Sequence, residues 1–416
     1  MRIRDFWVRG AVSLGLVFFM VACNEIVATP TAEAAGKDPA PALLVRAEEG
    51  DVAAQLAAGR FYASIAVEAE EVEGARREAE ALRWLTLAAE QEDAEAQSEL
   101  GIILVGADGP HRNVAEGHRW LSRAAQAGQA PALFMLGELA QAGEESAPNP
   151  VLAVDFWMKA SRLGHIGALH RLGEAHEQGL GVDPDDETAL GYYLEASSLG
   201  YAISQYRLAV IHDEGVFAGR DALEAVKYYR MAAEQGYAPA QAQLGYLYAR
   251  GDGVVQRYDE ALRWSQLAAE QGDADGCNNL AVLYLKGLGV QQNFDEALRW
   301  YRLAAQRHHP GAQNMLGTIY LTGQGVPVDA VEAEHWWRMA ADQGYAAAQY
   351  NVGGMYSRKL SAALTRDEAL DWLGRAAEQG HRSASKELAE LQSIVAAESA
   401  GARASVEVTE PERTTL

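Results

Sequence analysis

A 36-residue period governs this sequence. The stretch 274–309, ADGCNNLAVLYLKGLGVQQNFDEALRWYRLAAQRHH, falls back into register with its neighbours when shifted by 36 residues either way: alanines, glycines and Trp300 all realign. Units begin at Ala94, Ala130, Ile166, Ala202, Ala238, Ala274, Pro310 and Ala346, and a closing half unit begins at Arg382. A period of this size marks stacked helix pairs, because one pair alone cannot bury its own apolar stripes. The expected fold is therefore all-α: an α/α solenoid, a superhelix of helix-turn-helix repeats. At 416 residues the chain is too long for one ordinary core and long enough for such an array.

The unit at 238–273 shows the local logic. Ala240, Leu244, Leu247 and Tyr248 recur at helical spacing and predict a first helix from about Pro239 to Arg250. Gly251 and Gly253 break it and permit a left-handed connection. A second helix is expected from about Tyr258, with Asp259 and Glu260 in its first turn, where they complement the helix dipole. Ala261, Trp264, Ala268 and Ala269 form its inner face. Small residues at Gly245 and Ala268-Ala269 let the helices approach, and Trp264 and Tyr248 fill the remaining space. Eight of the nine Trp sit in second helices, most at one repeat position, so core packing accounts for them.

This pattern resembles the Sel-1-like repeat family, an α-solenoid relative of the tetratricopeptide repeat. Three consecutive units carry it nearly complete. They show Leu244-Gly245, Tyr248, Gly251, Gly253, Ala261, Trp264 and Ala268-Ala269; then Leu280, Tyr284, Gly287, Gly289, Ala297, Trp300 and Ala304-Ala305; then Leu316-Gly317, Tyr320, Gly323, Gly325, Ala333, Trp336 and Ala340-Ala341. The resemblance covers roughly residues 51–394. The units at 130 and 202 replace the second loop glycine with Glu145 and Phe217, and the unit at 346 has Lys359 and Ser361 in place of the two glycines, so different loop shapes are expected there. The first unit, from Val52, carries extra residues around 68–80.

The N-terminus reads differently. Arg2, Arg4 and Arg9 precede an apolar run from Gly10 to Ala22, about 13 residues, too short to span a bilayer but suited to a signal-peptide core. It ends in Met20-Val21-Ala22-Cys23, which is similar to the bacterial lipobox. That resemblance implies lipidation of Cys23 and removal of residues 1–22. Asn24, where Asp would resemble an inner-membrane retention signal, implies the outer membrane. The expected organisation is a signal peptide at 1–22, a flexible tether rich in Ala, Thr and Pro at 23–41, a solenoid at 42–395 of about nine full units and a half unit, and a disordered tail at 396–416.

Charge and motifs narrow the chemistry. The formal net charge is −23, and the N-terminal segment is basic, so the acidity belongs to the remainder. Such a surface repels phosphate backbones, which argues against nucleic acid. Two cysteines, Cys23 and Cys277, supply neither a disulfide framework nor a zinc site. The histidines, including His308-His309, show no tight metal spacing. Asp183, Asp185 and Asp186 lack the Gly and distal Glu of a calcium loop and suit a helix cap. Ser383 to Lys386 spells Ser-x-x-Lys without the companion motifs that activate such a serine. No cofactor, no metal and no catalytic constellation is expected.

The positions that the repeat leaves free are more informative. The two residues before each Leu-Gly pair vary, and they include His170, Arg171, Tyr206, Arg207, Gln243, Asn278, Asn279, Asn314, Tyr350 and Asn351. If first helices line the concave face, these form a row of amides, aromatics and arginines suited to peptide backbones or sugar hydroxyls. A solvated helix surface is the alternative. The expected function is a non-enzymatic envelope scaffold: a lipoprotein on the periplasmic side of the outer membrane that binds a protein partner. A peptidoglycan or polysaccharide binder, or a β-lactamase-like enzyme akin to cysteine-rich repeat relatives, is the other reading. Those relatives place a cysteine pair in each repeat, and this array has only Cys277.

Overall fold

The computed structural model describes residues 39–66, 71–106, 111–144, 147–216, 219–361 and 363–407. The signal-peptide and lipobox expectations, most of the tether, and Glu145 and Phe217 lie outside them. Twenty α-helices and no strands occur among the described residues. The chain divides into two compact units at Ser204–Gln205.

In the first unit, a short cap α1 (Pro41–Glu48) precedes the pairs α2 (Val52–Ala66) with α3 (Glu71–Glu90), α4 (Ala94–Gly106) with α5 (Val114–Gln126), α6 (Ala130–Ala142) with α7 (Pro150–Arg162), and α8 (Ile166–Gln178) with α9 (Asp186–Ser198). The division falls in the first turn of α10 (Ala202–Glu214). The second unit continues with α11 (Ala222–Glu234), then α12 (Ala238–Arg250) with α13 (Tyr258–Glu270), and α14 (Ala274–Lys286) with α15 (Phe294–Gln306). It ends with α16 (Pro310–Thr322) paired to α17 (Ala330–Asp342), α18 (Ala346–Ser357) to α19 (Arg366–Glu378), and the closing α20 (Arg382–Glu407). The extra residues of the first repeat lengthen α3 to 20 residues. At the other end, α20 runs past Val395, where a tail was expected. Residues 396–407 are rich in alanine, whose high helix propensity favours continuing the helix.

Within most pairs a glycine of the first helix closely faces a varied side chain of the second. A Cβ on Gly317 would lie 2.5 Å from the Trp337 ring, and one on Gly173 would lie 2.6 Å from Tyr193. Gly245 instead faces Ser265. Where Ala209 and Ala281 replace the glycine, the corresponding second-helix residues are Tyr229 and Tyr301, all four buried. The Trp position read from the sequence lies one residue earlier. Trp84, Trp264 and Trp372 are buried there and Trp120, Trp300 and Trp336 half-buried, and arginines cover several of these rings, such as Arg263 at 4.6 Å from Trp264. Trp157 and Trp337 occupy the inserted position.

The loops follow the glycines. Gly251 and Gly253 have φ of 73° and 67°, and a Cβ on Gly253 would strike the Ala222 carbonyl at 2.4 Å. Lys359 takes the glycine's left-handed place at φ 55°.

Stacking between repeats buries alanines and leucines, among them Ala269, Leu280, Ala305, Ala312 and Leu316 in one continuous cluster. A buried amide pins most of these joints. Gln241 donates to the Ala233 carbonyl of the preceding repeat (3.1 Å) and accepts from Gln271 of its own repeat (2.7 Å). Gln313 repeats this with Ala305 and Gln343, and Gln349 with Ala341 and Gln379. Gln55 does so with Ala47 and Gln91. The repeats at 130 and 166 carry leucine at both amide positions: Leu133 with Leu163, and Leu169 with Leu199. In the repeat at 274, Cys277 stands here, with its Sγ 3.9 Å from the Ala269 carbonyl. Gly276 beside it would place a Cβ 2.5 Å from Ala268, so the small pair accommodates a closer approach of α14 to α13.

Replacing Gln313 by Leu removes the partner of both Ala305 and Gln343, and is expected to lower the unfolding free energy by about 1–3 kcal/mol in urea titrations. Adding Gln343→Leu is expected to recover part of that loss, giving a favourable coupling in a double-mutant cycle.

Candidate functional site

The first-helix row begins as a seam between neighbouring first helices. Helical stride aligns the second, sixth, ninth and thirteenth residues of each first helix, as in Pro239, Gln243, Tyr246 and Arg250 of α12. The first residue of each varied pair points inward from this stripe, and the second lies at its edge. His170 is accordingly buried, while Arg171, Tyr206, Arg207, Gln243, Asn278, Asn279, Asn314, Tyr350 and Asn351 are all half-buried.

In the first unit this seam is ionic. Arg171 makes a two-pronged pair with Glu138 of the preceding first helix (3.0 and 2.7 Å) and a third bond to Glu174 (2.7 Å). Arg60 bonds Glu99 (2.6 Å) and Glu95 (2.9 Å) of the following first helix, so the charges there are placed the other way round. Burial would raise the Glu174 pKa, but His170 and Arg171 outweigh it and hold the carboxyl well below the usual range. At Glu99 burial prevails over Arg60, and the pKa is raised.

In the second unit the seam is built from amides. Asn279 donates to the Ala242 carbonyl (3.0 Å) and Asn351 to the Asn314 side-chain oxygen (2.8 Å). The Asn314 carbonyl accepts from the Trp337 indole (3.0 Å). Tyr350 stacks on His381 at 4.7 Å and accepts from Arg358 (3.1 Å). Tyr206 packs between Tyr229 and Tyr237, and burial raises its phenol pKa. Much of the predicted row therefore helps join repeats. Exposed side chains on the same stripe of the second unit include Glu214, Tyr246, Arg250, Asp275, Lys286, Thr322 and Arg358. Variability before the Leu-Gly pair did not single them out. Extending the stripe by helical stride from Gln243 and Asn279 would have reached Tyr246, Arg250 and Lys286.

One buried cluster has the order of a hydrolytic triad. Ser204 Oγ lies 3.0 Å from His170 Nδ1, and His170 Nε2 lies 3.5 Å from Glu174. Ser204 is fully buried and the His170 ring lies between Tyr193 and Tyr201, so a substrate carbonyl has no approach to the hydroxyl. The Ser383/Lys386 match lies on α20, where both residues are exposed and Lys386 is 3.8 Å from Glu390. Asp185 caps α9, accepting from the Glu187 and Thr188 amides. Of the His308-His309 pair, His308 is exposed in a left-handed conformation, whereas His309 caps α16 and bonds Asp275 at 3.0 Å. Among the described residues, no three His, Cys, Asp or Glu side chains group to hold a metal ion. Nor is any described helix long and apolar enough to cross a membrane.

The Sel1 repeat pattern matches residues 74–93, 94–129, 130–165, 166–201, 202–237, 238–273, 274–309, 310–345 and 346–381. Among solved structures, the fold is similar to a protective antigen of uropathogenic Escherichia coli displaying an SLR fold. That match has a TM-score of 0.61 and 28% identity, covering 83% of this chain and 73% of the other. It is also similar to a Sel1 repeat protein from Oxalobacter formigenes, with a TM-score of 0.54 and 32% identity, covering 74% of this chain and 90% of the other. No curated protein matches.

Arg171→Met leaves Glu138 and Glu174 facing each other without their cation. After allowance for partial solvent screening, a loss of about 2 kcal/mol at pH 7 is expected in urea titrations. A carboxylate held below its ordinary 4.5 stabilises fully at neutral pH and loses that contribution as acid protonates it. The difference between variant and parent is therefore expected to shrink below about pH 4.5.

Proposed function

Because the chain belongs to the Sel1 repeat family, we propose that it is a non-enzymatic scaffold that holds a protein partner along the open stripe of its first helices. The Sel1 repeat solenoid is a fold whose members generally bind protein partners. The observation that carries the proposal for this chain is the second-unit stripe, where Gln243, Tyr246, Arg250 and Lys286 combine an amide, an exposed phenol and two cations on adjacent first helices. Amides match the donors and acceptors of a peptide backbone, and Tyr and Arg supply large contact area with polar ends. The stripe is open enough to be covered, since Tyr246 is 39% exposed.

We further propose that this scaffold is tethered in the bacterial envelope, as a lipoprotein facing the periplasm from the outer membrane. The sequence at 20–23 supports this reading, with Cys23 as the lipidated residue. The chain's acidity suits partners with basic or neutral faces and disfavours nucleic acid. A wall or exported polysaccharide is the alternative ligand for the same polar stripe.

Two measurements test these proposals. A photo-crosslinking residue at Tyr246 or Lys286 is expected to capture a protein in the native envelope, and one at Arg299 on α15 is expected to capture none. Efficient capture at Arg299 with silence at the first-helix positions would place the binding surface elsewhere. Labelling cells with a fatty-acid probe is expected to mark the parent chain and not Cys23→Ala; equal labelling would exclude the anchor.

A further inference from the structure

His165 stands where a repeat ends and the next first helix begins. Its Nδ1 accepts a hydrogen bond from the Ala168 amide at 3.2 Å, an N–H that also reaches the His165 carbonyl at 3.1 Å. Its own amide donates to the Ala160 carbonyl at 3.0 Å, and its ring stacks on Phe134 of α6 at 4.3 Å. The ring thus links the start of α8 to the preceding repeat, beside the Arg171–Glu138 pair. The same cap geometry recurs at His309 toward Ala312 (2.9 Å) and at His381 toward Ala384 (3.2 Å).

An imidazole can accept through Nδ1 only while that nitrogen carries no proton. An imidazolium would set a second N–H against the Ala168 N–H and place positive charge at a helix N-terminus, where the dipole opposes it. We propose that protonation of His165 releases the joint between the repeats at 130–165 and 166–201, making it an acid-responsive opening point in the first unit.

The surroundings favour His165 for this role. The Tyr201 hydroxyl lies close by, for a Cβ on Gly167 would sit 3.2 Å from the His165 ring and 3.4 Å from that hydroxyl. Further along its own helix lie His170, Arg171 and Glu174, and from α6 come Phe134 and Glu138, the latter bonded to Arg171. His309 differs, because its Nε2 meets the Asp275 carboxylate at 3.0 Å. Burial lowers the His165 pKa to about 4 from an ordinary 6.5. The opened joint therefore binds the proton more readily than the closed one. The closed form is fully favoured above about pH 6.5 and loses that advantage as pH falls toward 4. Glu174, with its pKa held below the usual range, stays ionised through most of this window.

Hydrogen exchange of the full chain from pH 7.5 to 5.0, corrected for intrinsic exchange, tests the proposal. Protection of the amides at 167–170 is expected to fall on the order of tenfold or more in the parent. His165→Asn keeps an uncharged acceptor, as Asn113, Asn149 and Asn293 do at the N-caps of α5, α7 and α15. It is expected to hold its protection across the range. His165→Tyr copies Tyr237 and Tyr345, which occupy this place without a side-chain cap. It is expected to show weaker protection already at pH 7.5 and little further change. A parent insensitive to pH, or an equal fall in either variant, would overturn the proposal.

Discussion

The joint between repeats is the constraint on which the rest depends. No helix pair here can bury both of its faces, so each relies on the next, and the contact must be made at one register. Alanines and leucines supply the apolar area, but apolar surfaces alone tolerate sliding. The buried glutamines at Gln55, Gln241, Gln313 and Gln349 do not. Each must reach a helix-end carbonyl of the preceding repeat while accepting from its own second helix, and a slipped register would strand buried amides. Hydrogen bonding thus fixes what burial only favours.

The same demand shapes the candidate site. First helices pack against their second helices, against the preceding repeat, and along one edge against other first helices. What remains open is a narrow stripe. Its edges are occupied by side chains that bridge repeats, charged in the first unit through Arg171 and Glu138, and amide in the second through Asn279 and Asn351. The positions between them, Tyr246, Arg250 and Lys286, are left to meet a partner. Joining repeats and presenting a surface are therefore tasks of neighbouring residues on the same helices, and a substitution meant to probe binding must avoid the joiners.

The periodic part of the fold was legible in the sequence because a repeat compares itself with its neighbours. Helix starts at 238 and 258, the left-handed Gly251 and Gly253, the close approach at Gly245, and Asp185 as a cap all follow from local rules. The site was less legible. Variability marks both residues of each pair, yet only helical stride distinguishes the buried His170 from the half-buried Arg171. Their partners, Ser204 and Glu138, lie more than thirty residues away. Cys277 was distinctive in sequence, but with Gly276 it records a closer helix approach. His309 showed no metal spacing in the sequence, and its two nitrogens instead meet Ala312 and Asp275. Such pairings depend on three-dimensional register, which the single sequence expresses only through its period.

The central claim is that a protein partner lies along the open first-helix stripe. Hydrogen exchange of the chain, free and in its isolated native complex, tests it most directly. The account predicts added protection within 243–250 and 279–286, with α13 and α15 unchanged. Protection gained on α13 and α15, with the first helices unchanged, would contradict it.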